Sequence, residues 1–238
     1  MKEAENIIKQ LRAFFKEFEF SGNSSVRFMN TLFFKAKEEK ARDYVINYFK
    51  LIDSPYANEV VEKTKSKEFK AMIKSLAELD LNTKPINQRF ILYYGNQGTG
   101  KTTKATKLYP HAKVMNCNSS FEPNDLLETF DFENGQPNYK PSPLLLAMIH
   151  GETVILDEIN LLTRDCLRSL QAFLDNKECF EFKGETIRIN EGFKVIGTMN
   201  LEVNGQIEAL PSPLVDRAED IKEFELSDEI LTRLALNC

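Results

Sequence analysis

The chain has 238 residues, the length of one large domain or two small ones. Hydrophobic residues make up 42% and charged residues 28%, a globular composition that excludes global disorder. With 31 basic and 36 acidic side chains the net charge is −5, which does not support a strongly basic coat for nucleic acid.

The cysteines and the apolar runs further limit the class of protein to which the chain can belong. The four cysteines form no C-x-x-C pair, and with only two histidines a structural zinc site is not expected. A chain of this size with few cysteines does not need a disulfide framework, which favours a reducing cytoplasm. No apolar run approaches about 18 residues, and the amino terminus lacks the apolar core of a signal peptide. We therefore expect a cytoplasmic protein without membrane spans.

Apolar side chains recur at helical spacing in the first third of the chain. These stripes predict helices at residues 7–18, 27–37, 41–52 and 69–79. A break is expected at Ser21–Ser24, and the lysine-rich stretch Lys63–Lys67 is expected to be a solvated helix face or loop. Residues 1–84 are thus predicted to be a helical region. It is expected to fill its own core as a small bundle, to dock a partner, or to do both.

The pattern changes at a linker, Asn82–Pro85, after which short β-rich runs alternate with helical patterns. Strands are predicted at residues 90–94, 114–115, 153–156 and 193–197. Helices are predicted near residues 101–109, 123–130, 143–150 and 163–175. This alternation predicts an α/β fold over residues 85–238, in which a parallel sheet is flanked by helices.

A glycine-rich loop follows the first predicted strand, and it fits the P-loop pattern G-x-x-x-x-G-K-[ST] at every position. Glycines let such a loop wrap closely and aim backbone N–H groups at phosphate oxygens, aided by the following helix dipole. Lys101 can reach the β- and γ-phosphates, and the Thr102 hydroxyl can ligate Mg²⁺. The residues expected to contact the nucleotide are Gly95, Asn96, Gln97, Gly98, Thr99, Gly100, Lys101, Thr102 and Thr103.

Polar side chains also follow two later strands. Asp157 and Glu158 end the predicted strand at 153–156, where Asp157 can hold Mg²⁺ and Glu158 can act as general base on water. Asn200 closes the strand at 193–197 within the run Gly197–Asn200. Its amide either orients the attacking water or only forms a turn.

These motifs occur in an order that resembles the AAA+ ATPases, in particular the branch with a helix-2 insert that includes MoxR-like proteins, McrB, midasin and dynein. The resemblance covers about residues 88–226 and includes the run Leu210–Arg217. It implies that Asn200 is the sensor-1 residue and that Arg217 is an arginine finger acting in a neighbouring subunit's site. A surface ion pair of Arg217 with Asp216 or Glu219 is the alternative.

Two hairpins are predicted at places where this branch carries insertions. One turns at Asn134-Gly135 within residues 132–139, and the other turns at Lys183-Gly184 within residues 179–189. In relatives such hairpins line a central pore and can contact substrate. Plain packing of a β-meander is the alternative.

The sequence also departs from the branch. Relatives often carry arginine after Glu-Ile-Asn, where this chain has Leu161, with Arg164 three residues later. After the core only Ser227–Leu236 is predicted as a helix, so a carboxyl-terminal lid is expected to be largely absent. Arg233 is not assigned as a sensor-2 arginine. The chain is truncated, uses its amino-terminal helices instead, or is a compact stand-alone ATPase.

The resemblance implies ATP and Mg²⁺ as cofactors, ATP being preferred to GTP by family majority. It implies a homo-oligomeric ring, expected to be a hexamer, that remodels a protein or protein–nucleic acid complex, with a protein substrate or adaptor engaged by the amino-terminal helices. One alternative is a DNA-handling motor or loader. Lys183, Arg188 and Lys194 could serve it, although the second part of the chain is net acidic. Another is a nucleotide-gated binding module with little turnover.

Overall fold

A computed structural model describes residues 2–18, 26–175, 177–203, 206–207 and 209–225. The helices, in chain order, are α1 (Lys2–Lys16), α2 (Val26–Lys37), α3 (Ala41–Leu51), α4 (Ala57–Lys63), α5 (Lys67–Glu78), α6 (Lys101–Leu108), α7 (Pro143–His150), α8 (Arg164–Leu174) and α9 (Ser212–Val215). The strands are β1 (Phe90–Gly95), β2 (Lys113–Asn116), β3 (Glu128–Glu133), β4 (Gln136–Pro141), β5 (Thr153–Asp157), β6 (Cys179–Phe182), β7 (Glu185–Arg188), β8 (Lys194–Asn200), β9 (Glu202–Val203), β10 (Gln206–Ile207) and β11 (Asp220–Phe224).

Strands β11, β1, β8, β5 and β2 form one sheet in that spatial order, and every neighbouring pair is parallel. The register places Gly95 at the end of β1 opposite Asn200 at the end of β8. Strand β5 ends one position beyond its Leu156–Gly197 pair, beside Thr198. The carboxyl ends of three central strands therefore meet at one edge of the sheet.

Helices cover both faces of the sheet, as the near-continuous apolar strands require. Alternate residues of β1 separate into two sets, since successive side chains point to opposite faces. Ile91 and Tyr93 pack with Ala105 of α6 on one face. The other β1 side chains belong to a larger cluster shared with α7, α8 and the amino-terminal helices. The predicted α/β fold with a flanked parallel sheet is confirmed.

The amino-terminal helices α1 to α5 pack on each other, and α3 packs on the outer strand β11. Asn47 of α3 donates to the Ile221 carbonyl at 3.1 Å and accepts from the Tyr94 hydroxyl at 2.7 Å. Lys50 on the same helix pairs with Glu223 at 2.8 Å. These helices therefore share a continuous core with the sheet. The boundary at residue 84 stays a prediction, as does partner docking.

Most predicted elements are present, but several elements differ from the prediction. The helix predicted at 123–130 is wrong: only Pro123–Leu126 forms a short 3₁₀ turn, and the chain then enters β3. The elements that were not predicted from the sequence are helices α4 and α9 and strands β9, β10 and β11. The Lys63–Lys67 stretch joins α4 to α5 with its lysines exposed, as expected. The predicted break at Ser21–Ser24 and the predicted helix at Ser227–Leu236, with Arg233, lie outside the described residues.

Candidate functional site

The loop from Gly95 to Thr102 joins β1 to α6 at the carboxyl edge of the sheet. Gly98 and Gly100 have φ angles of 79° and 82°, in the left-handed region that favours glycine. At Gly95, with φ 146°, a Cβ atom would lie 2.1 Å from the Phe224 carbonyl oxygen of β11. Glycine is thus required where the loop leaves the sheet, because the neighbouring strand leaves no space.

Lys101 is the first residue of α6, and its side chain is buried inside the loop. Its ammonium donates to the carbonyls of Gly95 at 2.9 Å and Asn96 at 2.7 Å, and to the Thr99 hydroxyl at 3.3 Å. Burial lowers the pKa of this ammonium, an effect that the nearby Asp157 and Glu158 only partly oppose. The cation is thus held where phosphate oxygens would replace its loop acceptors.

Asp157 lies at the centre of the site. Its Oδ1 atom accepts the Thr102 hydroxyl from the start of α6 and the Thr198 hydroxyl from β8, each at 2.5 Å. These two bonds join three separate segments of the chain at a single carboxylate oxygen. The parallel register of β5 and β8 explains the contact with Thr198, since the two residues are neighbours across the strands.

Glu158 follows directly, and its carboxylate accepts the Asn200 amide at 2.8 Å. Its backbone N–H donates to the Thr198 hydroxyl at 3.1 Å. The residue has a φ angle of 56°, in the left-handed region that non-glycine residues rarely adopt. Strained backbone of this kind clusters at functional sites. The carboxylate, its amide partner and its backbone are therefore fixed together.

The oxygen groups fit a hard cation. Thr102 and Asp157 supply one hydroxyl and one carboxylate in contact, the donors that Mg²⁺ takes beside substrate phosphates and water. Within the described part of the chain no cluster of three or more His, Cys, Asp or Glu residues could hold a metal alone. Such a site suits a metal that arrives with a phosphorylated ligand.

Residues 96–98, Gly100 and Thr103 are exposed along the loop mouth, while Thr99 is half-buried. The structure thus brings the whole predicted loop set together with Asp157, Glu158 and Asn200. Thr198 was not selected from the sequence. It lies two residues before Asn200 on the same strand and therefore on the same face, which is the signal that could have found it. Leu161 and Arg164 add no cation to this cluster; Arg164 is exposed at the start of α8.

Arg217 does not join the cluster. It precedes β11 at the amino edge of the sheet, and the six residues of β1 separate the two edges by about 20 Å. Its Nε atom donates to Asp175 Oδ1 at 2.8 Å, and its Nη1 atom donates to the Pro213 carbonyl. Of the two acids expected as alternative partners, Asp216 accepts the Tyr48 hydroxyl and Glu219 pairs with Lys194.

The two predicted hairpins are present as β3–β4 and β6–β7. Lys183, at the turn of the second hairpin, pairs with Glu128 of the first at 2.6 Å and lies 5.0 Å from the centre of the Tyr139 ring. Phe130, Phe132 and Tyr139 contact one another on one face of the first hairpin, and each is more than half exposed. The two hairpins therefore contact each other through Lys183, and the aromatic face of the first hairpin stays exposed to solvent.

The sequence of this chain is similar to those of known proteins. Residues 90–218, more than half of the chain, match the AAA domain of the dynein-related subfamily. An uncharacterized protein of Bacillus subtilis, YojN, is 32% identical over 120 residues, which cover 46% of this chain and 40% of YojN. An uncharacterized protein of Staphylococcus saprophyticus is 30% identical over 166 residues, which cover 59% of this chain and 63% of that protein.

Midasin of Dictyostelium discoideum is 26% identical over 155 residues, which cover 60% of this chain and 3% of midasin. The chain thus spans less than two thirds of the length of each of these relatives. No helix in the described residues is long and apolar enough to cross a membrane. The matched segment contains the P-loop, both strand-end acids, Asn200 and Arg217, and the chain belongs to the AAA+ ATPases of the dynein-related branch.

Proposed function

We propose that the chain binds ATP with Mg²⁺ at the Gly95–Thr102 loop and hydrolyses it. The observation that carries this proposal is the pair of 2.5 Å hydrogen bonds from Thr102 and Thr198 to Asp157. They join the phosphate-binding loop to the acid that ends β5, the arrangement that P-loop hydrolysis needs. The left-handed backbone and amide contact of Glu158 support a base held in place beside them.

Each residue has a separate task in this proposal. Lys101 exchanges its loop carbonyl partners for β- and γ-phosphate oxygens. Thr102 and Asp157 would hold the magnesium ion, which when bound supplies neutralisation of phosphate charge. Glu158 takes a proton from the attacking water, and Asn200 keeps the carboxylate oriented through its amide. Thr198 positions Asp157 and the Glu158 backbone at the same time.

We further propose that the chain acts as a homo-oligomeric ring, a hexamer by family majority. Arg217 supports this, since it lies at the opposite edge of the sheet from the phosphate loop of its own chain, a position from which it would serve a neighbour. An arginine supplied in this way stabilises the charge of the transferring phosphoryl group and is worth about 10³-fold or more in rate. The arginine of each site would thus be the Arg217 side chain of the next subunit.

We propose that ATP hydrolysis by this chain drives the remodelling of a protein or a protein–nucleic acid complex. The uncovered aromatic face of the β3–β4 hairpin supports contact with a polypeptide substrate. The amino-terminal region 1–84 is the proposed place for an adaptor, beside the ATPase core 85–238. Lys183 and Lys194 are paired within the chain, which disfavours a DNA-handling motor. Free Cys117, Cys166 and Cys179 support a cytoplasmic site of action.

The experiment is ATP turnover per subunit, measured across protein concentration, with Glu158→Gln as the inactive control. Specific activity that rises with concentration, together with an inactive variant that still binds ATP, is the expected result. Turnover per subunit that is independent of protein concentration would overturn the proposal that a neighbouring subunit completes each active site. ATP binding without turnover at any concentration would favour a nucleotide-gated binding module instead.

A further inference from the structure

Three arginines converge on the carboxyl end of α8, at the edge of the sheet opposite the phosphate loop. Arg27 of α2 donates to Asp175 Oδ1 at 2.9 Å, and Arg217 donates to the same oxygen at 2.8 Å. Arg89, just before β1, donates to the backbone carbonyls of Asp175 at 2.7 Å and Lys177 at 3.0 Å. One carboxylate oxygen thus accepts two guanidinium groups, and a third guanidinium binds the backbone beside it.

The charge of this cluster is unbalanced. Asp175 follows the last turn of α8, where an acidic side chain opposes the helix dipole and cationic groups are favoured. Arg89 already satisfies carbonyls at that helix end, so its charge adds to that of the two arginines on Oδ1. The two guanidinium groups that share one oxygen also repel each other. Removal of one arginine would leave the carboxylate paired and relieve this repulsion.

We propose that Asp175 is a positioning residue for Arg217: it holds the guanidinium against its own subunit until a neighbour's site takes it. Arg27 makes the exchange possible, because it stays on Asp175 Oδ1 when Arg217 leaves. A carboxylate with Arg217 as its sole partner would be stranded, half-buried, by the same movement. The proposal rests on the function of Arg217 proposed above.

The amino-terminal helices are connected to this exchange. Arg27 also donates to the Asn87 side chain at 3.3 Å. Asn87 in turn donates to the Asp216 carbonyl at 2.6 Å, directly before Arg217, and to the Thr31 hydroxyl of α2 at 3.0 Å. A movement of α2 therefore reaches both the partner of the arginine and its backbone. An adaptor bound to these helices would act on Arg217 through this route.

The first test measures access to Arg217 without any nucleotide. Phenylglyoxal modifies free arginine side chains, and mass spectrometry gives the rate at each residue. Asp175→Asn should speed modification of Arg217 about fivefold, the factor that about 1 kcal/mol of lost bonding gives. Arg27→Gln should slow it, since Asp175 then has a single side-chain cation on Oδ1. Glu223→Gln is the matched control, because the exposed fractions of the Glu223 and Asp175 side chains are 23% and 24%.

Opposite signs for the two variants are the result that a merely structural role would not give. Equal rates in Asp175→Asn and the wild type, or acceleration by both variants, would overturn the proposal. Should Asp175→Asn fail to fold, Arg27→Gln alone decides, because slower modification supports positioning by Asp175 and unchanged or faster modification contradicts it. These rates do not depend on ATPase activity, so they remain interpretable even where the proposed function fails.

The second test measures supply of the arginine between subunits. Arg217→Ala subunits, which keep their own phosphate loop, are mixed with Lys101→Ala donors that carry Arg217. Donors that also carry Asp175→Asn should restore about fivefold more turnover at low donor concentration, while Glu223→Gln donors should match the plain donors. Less restoration by Asp175→Asn donors would overturn the proposal. Absence of restoration by plain donors, together with the expected labelling rates, would instead contradict action of Arg217 in trans.

Discussion

The hydroxyl of Tyr48 on α3 donates to the Asp216 carboxylate at 2.6 Å, across 168 residues of sequence. Burial, and next the charge of Asp216, raise the pKa of this tyrosine, so its hydroxyl keeps its proton at neutral pH. The bond ties the amino-terminal helices to the segment that carries Arg217. The consecutive residues Asp216 and Arg217 are thus each fixed by a partner far away in sequence.

Tyr48→Phe is therefore expected to lower the free energy of unfolding by about 1.5–3 kcal/mol, the range for a hydrogen bond to a charged group. Urea unfolding followed by circular dichroism measures the change. Tyr139→Phe removes a hydroxyl from an exposed ring on β4 and should change stability by less than about 0.5 kcal/mol. Equal effects of the two variants would show that the Tyr48–Asp216 bond contributes nothing measurable.

Thr198→Val should reduce ATP turnover by about 10- to 100-fold, the usual cost of losing a group that orients a catalytic ligand. Valine keeps the shape of the side chain in β8 but removes the donor to Asp157 and the acceptor for the Glu158 N–H. Steady-state kinetics with Thr198→Ser as the matched variant measures this. Serine retains the hydroxyl and should retain most of the rate. Loss of activity in both variants would point to packing instead of hydrogen bonding.

Lys101→Ala should weaken ATP binding by about 30- to 150-fold, which corresponds to about 2–3 kcal/mol for charged hydrogen bonds to phosphate. Titration calorimetry at constant Mg²⁺ measures the affinity. Lys104→Ala removes an exposed lysine one turn further along α6 and should leave the affinity nearly unchanged. Unchanged affinity in Lys101→Ala would refute the assignment of the loop as the phosphate site.

The phosphate loop, its flanking elements and both hairpins could be predicted because the signals are local. A fixed spacing of glycines, lysine and threonine requires particular backbone angles, and Asn134-Gly135 and Lys183-Gly184 require tight turns. Strand β11 was not predicted from the sequence, because Asp220–Phe224 is a polar, half-exposed outer strand without an apolar run. The false helix at 123–130 came from the buried pair Leu126 and Leu127, which anchors a short turn before β3.

Long-range partners could not be predicted at all. Asp175 is 42 residues from Arg217 and 148 from Arg27, and no spacing rule connects such positions. The docking of the helices on β11 depends on equally distant pairs, among them Asn47 with Ile221. Charge alone suggested Asp216 or Glu219 as partners of Arg217, because proximity in sequence was the sole guide. In the structure Asp216 accepts the Tyr48 hydroxyl and Glu219 pairs with Lys194, contacts that no local rule indicates.

The ion pair between Lys35 of α2 and Asp220 of β11, at 3.1 Å, predicts a specific loss of stability in acid. Burial alone would raise the pKa of Asp220, but Lys35 and then Lys222 outweigh it and hold the pKa below its usual value. A carboxyl group with a lowered pKa in the folded state stabilises the protein above its unfolded pKa of about 3.9. This contribution is lost as the pH falls from about 4 through the folded-state pKa.

Asp220→Asn should therefore lower the free energy of unfolding at pH 7 by about 1–2 kcal/mol, a modest amount because Lys35 keeps Glu38 as a second partner. The same variant should lose less stability than the wild type between pH 5 and pH 2, as measured by urea unfolding at each pH. Glu78→Gln breaks the exposed 4.0 Å pair with Lys74 and should change neither quantity by more than about 0.5 kcal/mol. An acid-stability slope equal to that of the wild type in Asp220→Asn would contradict the lowered pKa of this carboxyl group.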